Sequence, residues 1–148
     1  MIKIFTYVFM TFWVMMVAFL FYPTDSKADI ELRKYKNNVC YDGDTCYITM
    51  KSLPKSLSKM TVRILGIDTP ELRGKCAKEK ELAMKAKIFA NQLFREARKI
   101  EFKDLKWDKY GGRILSNVYL DGYLYADMII NEQLAKAYDG GKKEGWCE

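Results

Sequence analysis

Two acidic bends and two arginines are the residues of this chain whose types and spacing could do chemistry. Asp42-Gly43-Asp44-Thr45 sets two carboxylates on a glycine turn. Asp68-Thr69-Pro70-Glu71 sets two more on a proline-braced bend, directly after a run that carries Arg63. Asp108-Lys109-Tyr110-Gly111-Gly112-Arg113 supplies a second arginine. Carboxylate and carbonyl oxygens form a hard donor set that suits Ca²⁺ or Mg²⁺ rather than zinc. Guanidinium groups offer paired donors to phosphate oxygens, in a fork that a lysine does not reproduce. A cation between Asp44 and Asp68, a carboxylate base and an arginine clamp together suit the cleavage of phosphodiesters. Each acidic motif also has a plainer reading. Asp-Gly-Asp is an ordinary turn, and Asp-Thr-Pro-Glu starts many helices, with Asp68 or Thr69 as N-cap and Pro70 at the first position. The helix-cap reading leaves Arg63 and Arg113 unexplained.

The elements that must position these residues are short. From Ile30 to about Met50, β-branched and aromatic residues flank the first acidic bend and predict two antiparallel strands. Met60–Ile67 predicts a third strand, ended by Asp68-Thr69-Pro70. Over residues 77–98 the period changes: Leu82, Ala86, Phe89, Leu93 and Ala97 recur three or four apart, which predicts an amphipathic helix with a solvated charged face. Strand character returns over 99–105 and 114–120, separated by Gly111-Gly112 and closed by Asp121-Gly122, and a short helix follows over about 125–135. The expected fold is α+β: a small five-stranded Greek-key barrel of the OB type, with one inserted amphipathic helix and a short C-terminal helix.

One such domain fits the length of 148 residues, and 49% hydrophobic with 30% charged residues reads as globular. Residues 1–28 stand apart. After Lys3 the run from Ile4 to Tyr22 carries no charge, and Pro23 and Ser26-Lys27-Ala28 follow it. Its length suits a membrane anchor, whereas the short positive start and the small residues at 26 and 28 suit a signal peptide cleaved after Ala28. Both readings put the domain, 29–148, outside the cytoplasm: secreted or periplasmic in one case, membrane-anchored in the other. Without residues 1–28 the 25 basic and 19 acidic residues fall to 23 and 18, a formal +5. Such a surplus attracts polyanions without choosing among them.

All four cysteines, Cys40, Cys46, Cys76 and Cys147, follow the export segment, and an even count in an oxidising compartment suggests disulfides. No Cys-x-x-Cys spacing supports a zinc site, and the chain has no histidine. The preferred pairing joins Cys40 to Cys46 across the acidic turn and Cys76 to Cys147.

With these motifs in order, the chain from about Leu32 to Tyr138 resembles the staphylococcal nuclease, or thermonuclease-like, family. The resemblance rests on Asp42-Gly43-Asp44-Thr45, Arg63 through Asp68-Thr69-Pro70-Glu71, Asp108 through Arg113, and Leu134-Ala135-Lys136-Ala137-Tyr138. The ending from Tyr138-Asp139-Gly140-Gly141 to Trp146-Cys147 is similar to an exported bacterial branch. The resemblance implies Ca²⁺ held by the side chains of Asp44 and Asp68 and the carbonyl of Thr69, with Asp42 in support. It implies Glu71 as general base, Arg63 and Arg113 on the scissile phosphate, and Lys109, Tyr110 and Tyr138 near a flanking phosphate or base. The implied substrate is DNA, with RNA as a second polymer, cut to leave 3′-phosphate ends.

The chain departs from the staphylococcal pattern in three places. Gly112 is an extra residue before Arg113, so the loop must re-aim that side chain. The segment after Glu71 is shorter and carries Cys76, and Tyr138 stands alone where the staphylococcal pattern has two tyrosines. The expected partner is nucleic acid, with no obligate protein partner, a monomeric state, and a membrane only if the apolar segment stays attached. The alternative is an OB-fold binding module without catalysis, tethered or free.

Overall fold

The computed structural model describes residues 30–109 and 111–147; the export segment read at 1–28 and Tyr110 lie outside the described residues. The strands are β1 (Ile30–Leu32), β2 (Thr45–Met50), β3 (Lys59–Ile64), β4 (Ile67–Asp68), β5 (Ile100–Trp107), β6 (Arg113–Leu120), β7 (Tyr123–Leu124) and β8 (Lys136–Ala137). The helices are α1 (Ala77–Glu96) and α2 (Tyr125–Asn131). Five strands run side by side in the order β1-β2-β3-β6-β5, β7 pairs with β6, and β4 pairs with β8 as a separate ladder. Neighbours in the large sheet are antiparallel except β3 and β6, which are parallel. This curled, mixed sheet with two helices against it is an α+β fold of the OB type.

Period-two alternation explains which face each strand buries. Met60, Val62 and Ile64 of β3 and Ile114, Val118 and Leu120 of β6 point into a core completed by Ala86, Ala90 and Phe94 of α1 and by Tyr125 and Ile129 of α2. The opposite face of the same two strands is thereby left to Arg63, Arg113 and Leu115, all half-buried.

Two predicted strands take a different form, each for a local reason, while the expected helix forms with a shifted buried stripe. The first expected strand stops at Leu32, because Lys36 and Asn37 adopt left-handed conformations (φ 48° and 64°) and close a small Tyr35–Asn38 turn. The expected third strand is split at Gly66, whose φ of 81° re-aims Ile67 and Asp68 toward β8. The helix begins at Ala77 with Cys76 as its N-cap, so the bend at Asp68-Thr69 is not a helix cap. Its buried stripe runs through Ala83, Ala86, Ala90 and Phe94, while Phe89 and Leu93 are only partly covered.

The small residues of that stripe let α1 approach the acidic turn. A Cβ on Gly43 would lie 3.0 Å from Ala86 Cβ and 2.8 Å from Thr69 Cγ2, so turn, bend and helix meet where no side chain fits. Asn91 of α1 locks the contact. Its Oδ1 accepts from the backbone N–H of Val39 (2.7 Å) and Cys40 (3.1 Å), and its Nδ2 donates to the carbonyl of Cys40 (3.0 Å). Cys40–Cys46 and Cys76–Cys147 are both disulfide-bonded, in the pairing expected. Among the described residues no helix is long and apolar enough to cross a membrane.

Candidate active site

The acidic turn is built by Asp42. Its Oδ1 accepts from the N–H groups of Asp44 (3.1 Å) and Thr45 (2.8 Å), an Asx-type turn that ends where β2 begins. Burial raises the Asp42 pKa, against the hydrogen bond from Thr45 and the charges of Arg63 and Lys87, so this carboxylate works as a turn acceptor within a poorly hydrated wall. Tyr125 pins the turn from below: its hydroxyl donates to the Gly43 carbonyl at 2.7 Å.

Asp44 is held toward the second bend. Its Oδ2 accepts from both the N–H (3.1 Å) and the hydroxyl (2.8 Å) of Thr69, and its Oδ1 accepts from Thr45 Oγ1 at 3.1 Å. Asp68 arrives from β4, where it pairs with Lys136 of β8. Asp44, Asp68 and Thr69 are all buried. Arg63 reaches between the carboxylates: it is ion-paired with Asp44, lies 3.8 Å from Asp68 Oδ1, and donates through Nη2 to the Ile67 carbonyl at 3.2 Å. Burial lowers its pKa, opposed by Asp42 and Asp68 and reinforced by the like charge of Arg113; a guanidinium nevertheless stays protonated.

Arg113 shares the face of Arg63 in spite of the extra glycine. Gly111 and Gly112 both take left-handed conformations (φ 68° and 60°), which absorbs the added residue in the hairpin loop. The Gly112 carbonyl then accepts from Thr61 N–H (3.2 Å), and β6 enters the ladder with Arg113 opposite Thr61 and Leu115 opposite Arg63. The arginines therefore stand on neighbouring strands, two residues apart along the sheet and on one side of it. Arg113 is also ion-paired with Asp108, which fixes the direction of the side chain. Both arginines line a cleft of about 540 Å³, together with Leu65, Asp108, Leu115 and Tyr138. Tyr138 is tied to the strand-splitting turn by its N–H, which donates to the Gly66 carbonyl at 2.9 Å. Lys109 is exposed in the hairpin loop, outside the lining of the cleft.

Glu71 is outside the lining of the cleft; its side chain is 61% exposed. Its backbone is fixed by a residue that the helical period hides. Glu79 is buried, and it accepts from Glu71 N–H (3.4 Å) through Oε1 and from Lys75 N–H (2.7 Å) through Oε2. Gly74 is packed against it so closely that a Cβ there would come within 2.5 Å of Glu79. The one local signal for Glu79 is its place three residues after Cys76, the position from which a capping-box carboxylate reaches back, and only the fold identifies Cys76 as the N-cap. A second unforeseen member is Lys143, whose Nζ lies 2.6 Å from Asp68 Oδ1 and 3.5 Å from Glu71 Oε1. Partial burial disfavours its charge, but Asp68 and Glu71 outweigh that and raise its pKa.

Asp44, Asp68 and the Thr69 carbonyl fit a hard divalent cation by donor chemistry: they are buried oxygens, and Asp68 Oδ1 has an ion pair but no aligned hydrogen bond. Asp42 is turned to its own loop. Among the described residues the one cluster of three ligand-type groups is Cys76, Glu79 and Cys147, and its sulfurs are spent in the disulfide. The model of the staphylococcal nuclease homologue family matches residues 61–142, from the strand of Arg63 past Glu71, Arg113 and Tyr138 to the edge of the tail. That match spans more than half of the sequence, and the chain belongs to the staphylococcal nuclease homologue family.

Proposed function

We propose that this protein is a Ca²⁺-dependent nuclease that hydrolyses phosphodiester bonds of DNA and, secondarily, RNA. The observation that carries the reading is the placement of Arg63 and Arg113 on one face of adjacent parallel strands, beside two buried carboxylates. Spaced donors of this kind hold the non-bridging oxygens of one phosphate and gain strength as negative charge builds there. Asp44, Asp68 and the Thr69 carbonyl would hold the cation, which when bound polarises a phosphate oxygen and a water.

Glu71 is the proton acceptor in this scheme. Its carboxylate is exposed to water and its backbone is anchored by Glu79, so the base is solvent-accessible on a fixed root. Water attacks phosphorus and its proton passes to Glu71, while the 5′ oxygen departs opposite the attack and takes a proton from solvent, leaving a 5′-hydroxyl and a 3′-phosphate. Tyr138, on the cleft wall, offers an aromatic face to a neighbouring base, and this reading assigns Lys109 and Tyr110 to a flanking phosphate or base. Recognition of backbone and π-faces reads no base edges, which suits a nuclease of low sequence preference.

The two disulfides and the apolar segment at 4–22 support an exported, monomeric enzyme acting outside the cytoplasm, anchored to the membrane only if that segment is retained. Digestion of single-stranded DNA tests the reading. Cutting is expected with Ca²⁺, is abolished by chelator, and falls by about 10²–10³ in Glu71→Gln. Binding of the same DNA without cleavage would instead identify an inactive OB-fold module.

A further inference from the structure

The segment after Tyr138 passes beside Asp68 and Glu71 and is tied down at several points. Cys147 is bonded to Cys76 at the start of α1. Lys136 Nζ donates to the Gly145 carbonyl at 2.8 Å, pairs with Glu144 at 3.1 Å and lies 4.9 Å from the centre of the Trp146 ring. Near the other end, Tyr138 Oη donates to the Gly141 carbonyl at 3.1 Å, and Gly141 N–H donates to Asp139 Oδ1 at 3.0 Å. Between these anchors stands Lys143. Its ammonium rests against Asp68 and within reach of Glu71.

We propose that Lys143 is a tethered counter-ion of the Asp68–Glu71 pair, and that it competes with a divalent cation for Asp68. The inference rests on the calcium reading above and deepens it. Two carboxylates this near each other repel, and each needs a positive neighbour. Arg63 pairs with Asp44 and stands 3.8 Å from Asp68 Oδ1, while Lys143 supplies the nearer charge, at 2.6 Å, on the Asp68–Glu71 side. A cation seated on Asp68 Oδ1 would find the ammonium on the same oxygen. Like charges at that spacing exclude each other, so Lys143 must swing away as the metal enters. Its side chain is 47% exposed, which leaves it free to do so, while the strap keeps it close enough to return. Vacated from Asp68, the ammonium stays tethered near the two carboxylates, available to an incoming polyanion.

Calorimetric titration of Ca²⁺ into the oxidised protein tests this with a readout other than activity. Lys143→Gln is expected to bind Ca²⁺ roughly two- to tenfold more tightly than the wild type, whereas the neighbouring Lys142→Gln leaves the affinity unchanged. Equal or weaker binding by Lys143→Gln overturns the competition and leaves the calcium reading intact. If neither wild type nor Lys143→Gln takes up Ca²⁺, the calcium reading falls and the competition falls with it. Amine acylation followed by peptide mass mapping gives a second measure. Without metal, Lys143 is expected to react more slowly than Lys142, and Ca²⁺ is expected to remove the difference. A Lys143 rate that Ca²⁺ does not change overturns the proposal.

Discussion

Asp44 and Thr69, 25 residues apart in sequence, are joined by two hydrogen bonds to one carboxylate oxygen, from the Thr69 hydroxyl at 2.8 Å and its N–H at 3.1 Å. This pair fixes one acidic bend against the other, and the hydroxyl bond can be deleted without changing side-chain shape. Thr69→Val is expected to lower stability by about 1–2 kcal/mol, since a buried bond to a charged acceptor is lost. Thr69→Ser restores that bond and recovers most of the loss apart from its missing methyl. Urea unfolding of the three proteins checks it, and a Val variant as stable as wild type would mean that the hydroxyl bond holds nothing.

Tyr125 sets a pH limit on the fold. Burial pushes its phenol far above the ordinary value of 10.0, so the folded protein keeps it neutral while the unfolded chain ionises it. The unfolded state then binds fewer protons above that value, and stability is lost as pH rises past it. At pH 8, Tyr125→Phe is expected to be about 1 kcal/mol less stable, through loss of the bond to Gly43. Between pH 10 and 11 the gap closes, because phenylalanine has nothing to ionise. Unfolding midpoints across this range that ran parallel would contradict the account.

Arg113 presents a planar fork whose direction Asp108 sets. Arg113→Lys keeps the charge and loses the fork, and kcat on single-stranded DNA is expected to fall about 10²-fold or more with no change in melting temperature. Asp108→Asn leaves the guanidinium but loosens it, at a cost of roughly tenfold. Unaltered turnover in Arg113→Lys would remove that residue from the phosphate clamp.

The Cys76–Cys147 bond closes a long loop, and chain entropy assigns it about 4 kcal/mol against about 2 kcal/mol for Cys40–Cys46, before native strain. The double variant Cys76→Ser/Cys147→Ser is expected to lose about 2–4 kcal/mol and to become sensitive to proteolysis after Tyr138, with the barrel still folded. Thermal unfolding and timed digestion measure both effects.

The parts of the site that follow from local chemistry were legible in the sequence. Arg63 falls on the outer face because alternate residues of its strand are Met60, Val62 and Ile64, and the helix is announced by its period. The parts that answer a tertiary demand were not. Glu79 reads as one more charge on a polar helix face, yet the backbone N–H groups of Glu71 and Lys75 need an acceptor inside the protein, and Glu79 supplies it. Lys143 sits in a charge-rich tail where composition separates no lysine from its neighbours; only the strap makes it a site residue. Asn91 is likewise not singled out by its sequence neighbours, because the N–H groups that it serves belong to a loop some 50 residues away in sequence. The split at Gly66 was hidden because the apolar run continues through it.

The parallel pairing of β3 with β6 also has a bearing on how the chain folds. Strands that meet side by side in the same direction from roughly 50 residues apart close late, since the loop between them must be ordered before the contacts repay it. The two arginines are brought to one face of neighbouring strands only through that ladder. A partly folded or nicked chain can thus carry Arg63 in a formed hairpin and still lack a clamp. On the proposed reading, phosphate binding by both arginines would certify that this ladder has closed: cleavage would begin with a long-range contact, not piecemeal with the local ones.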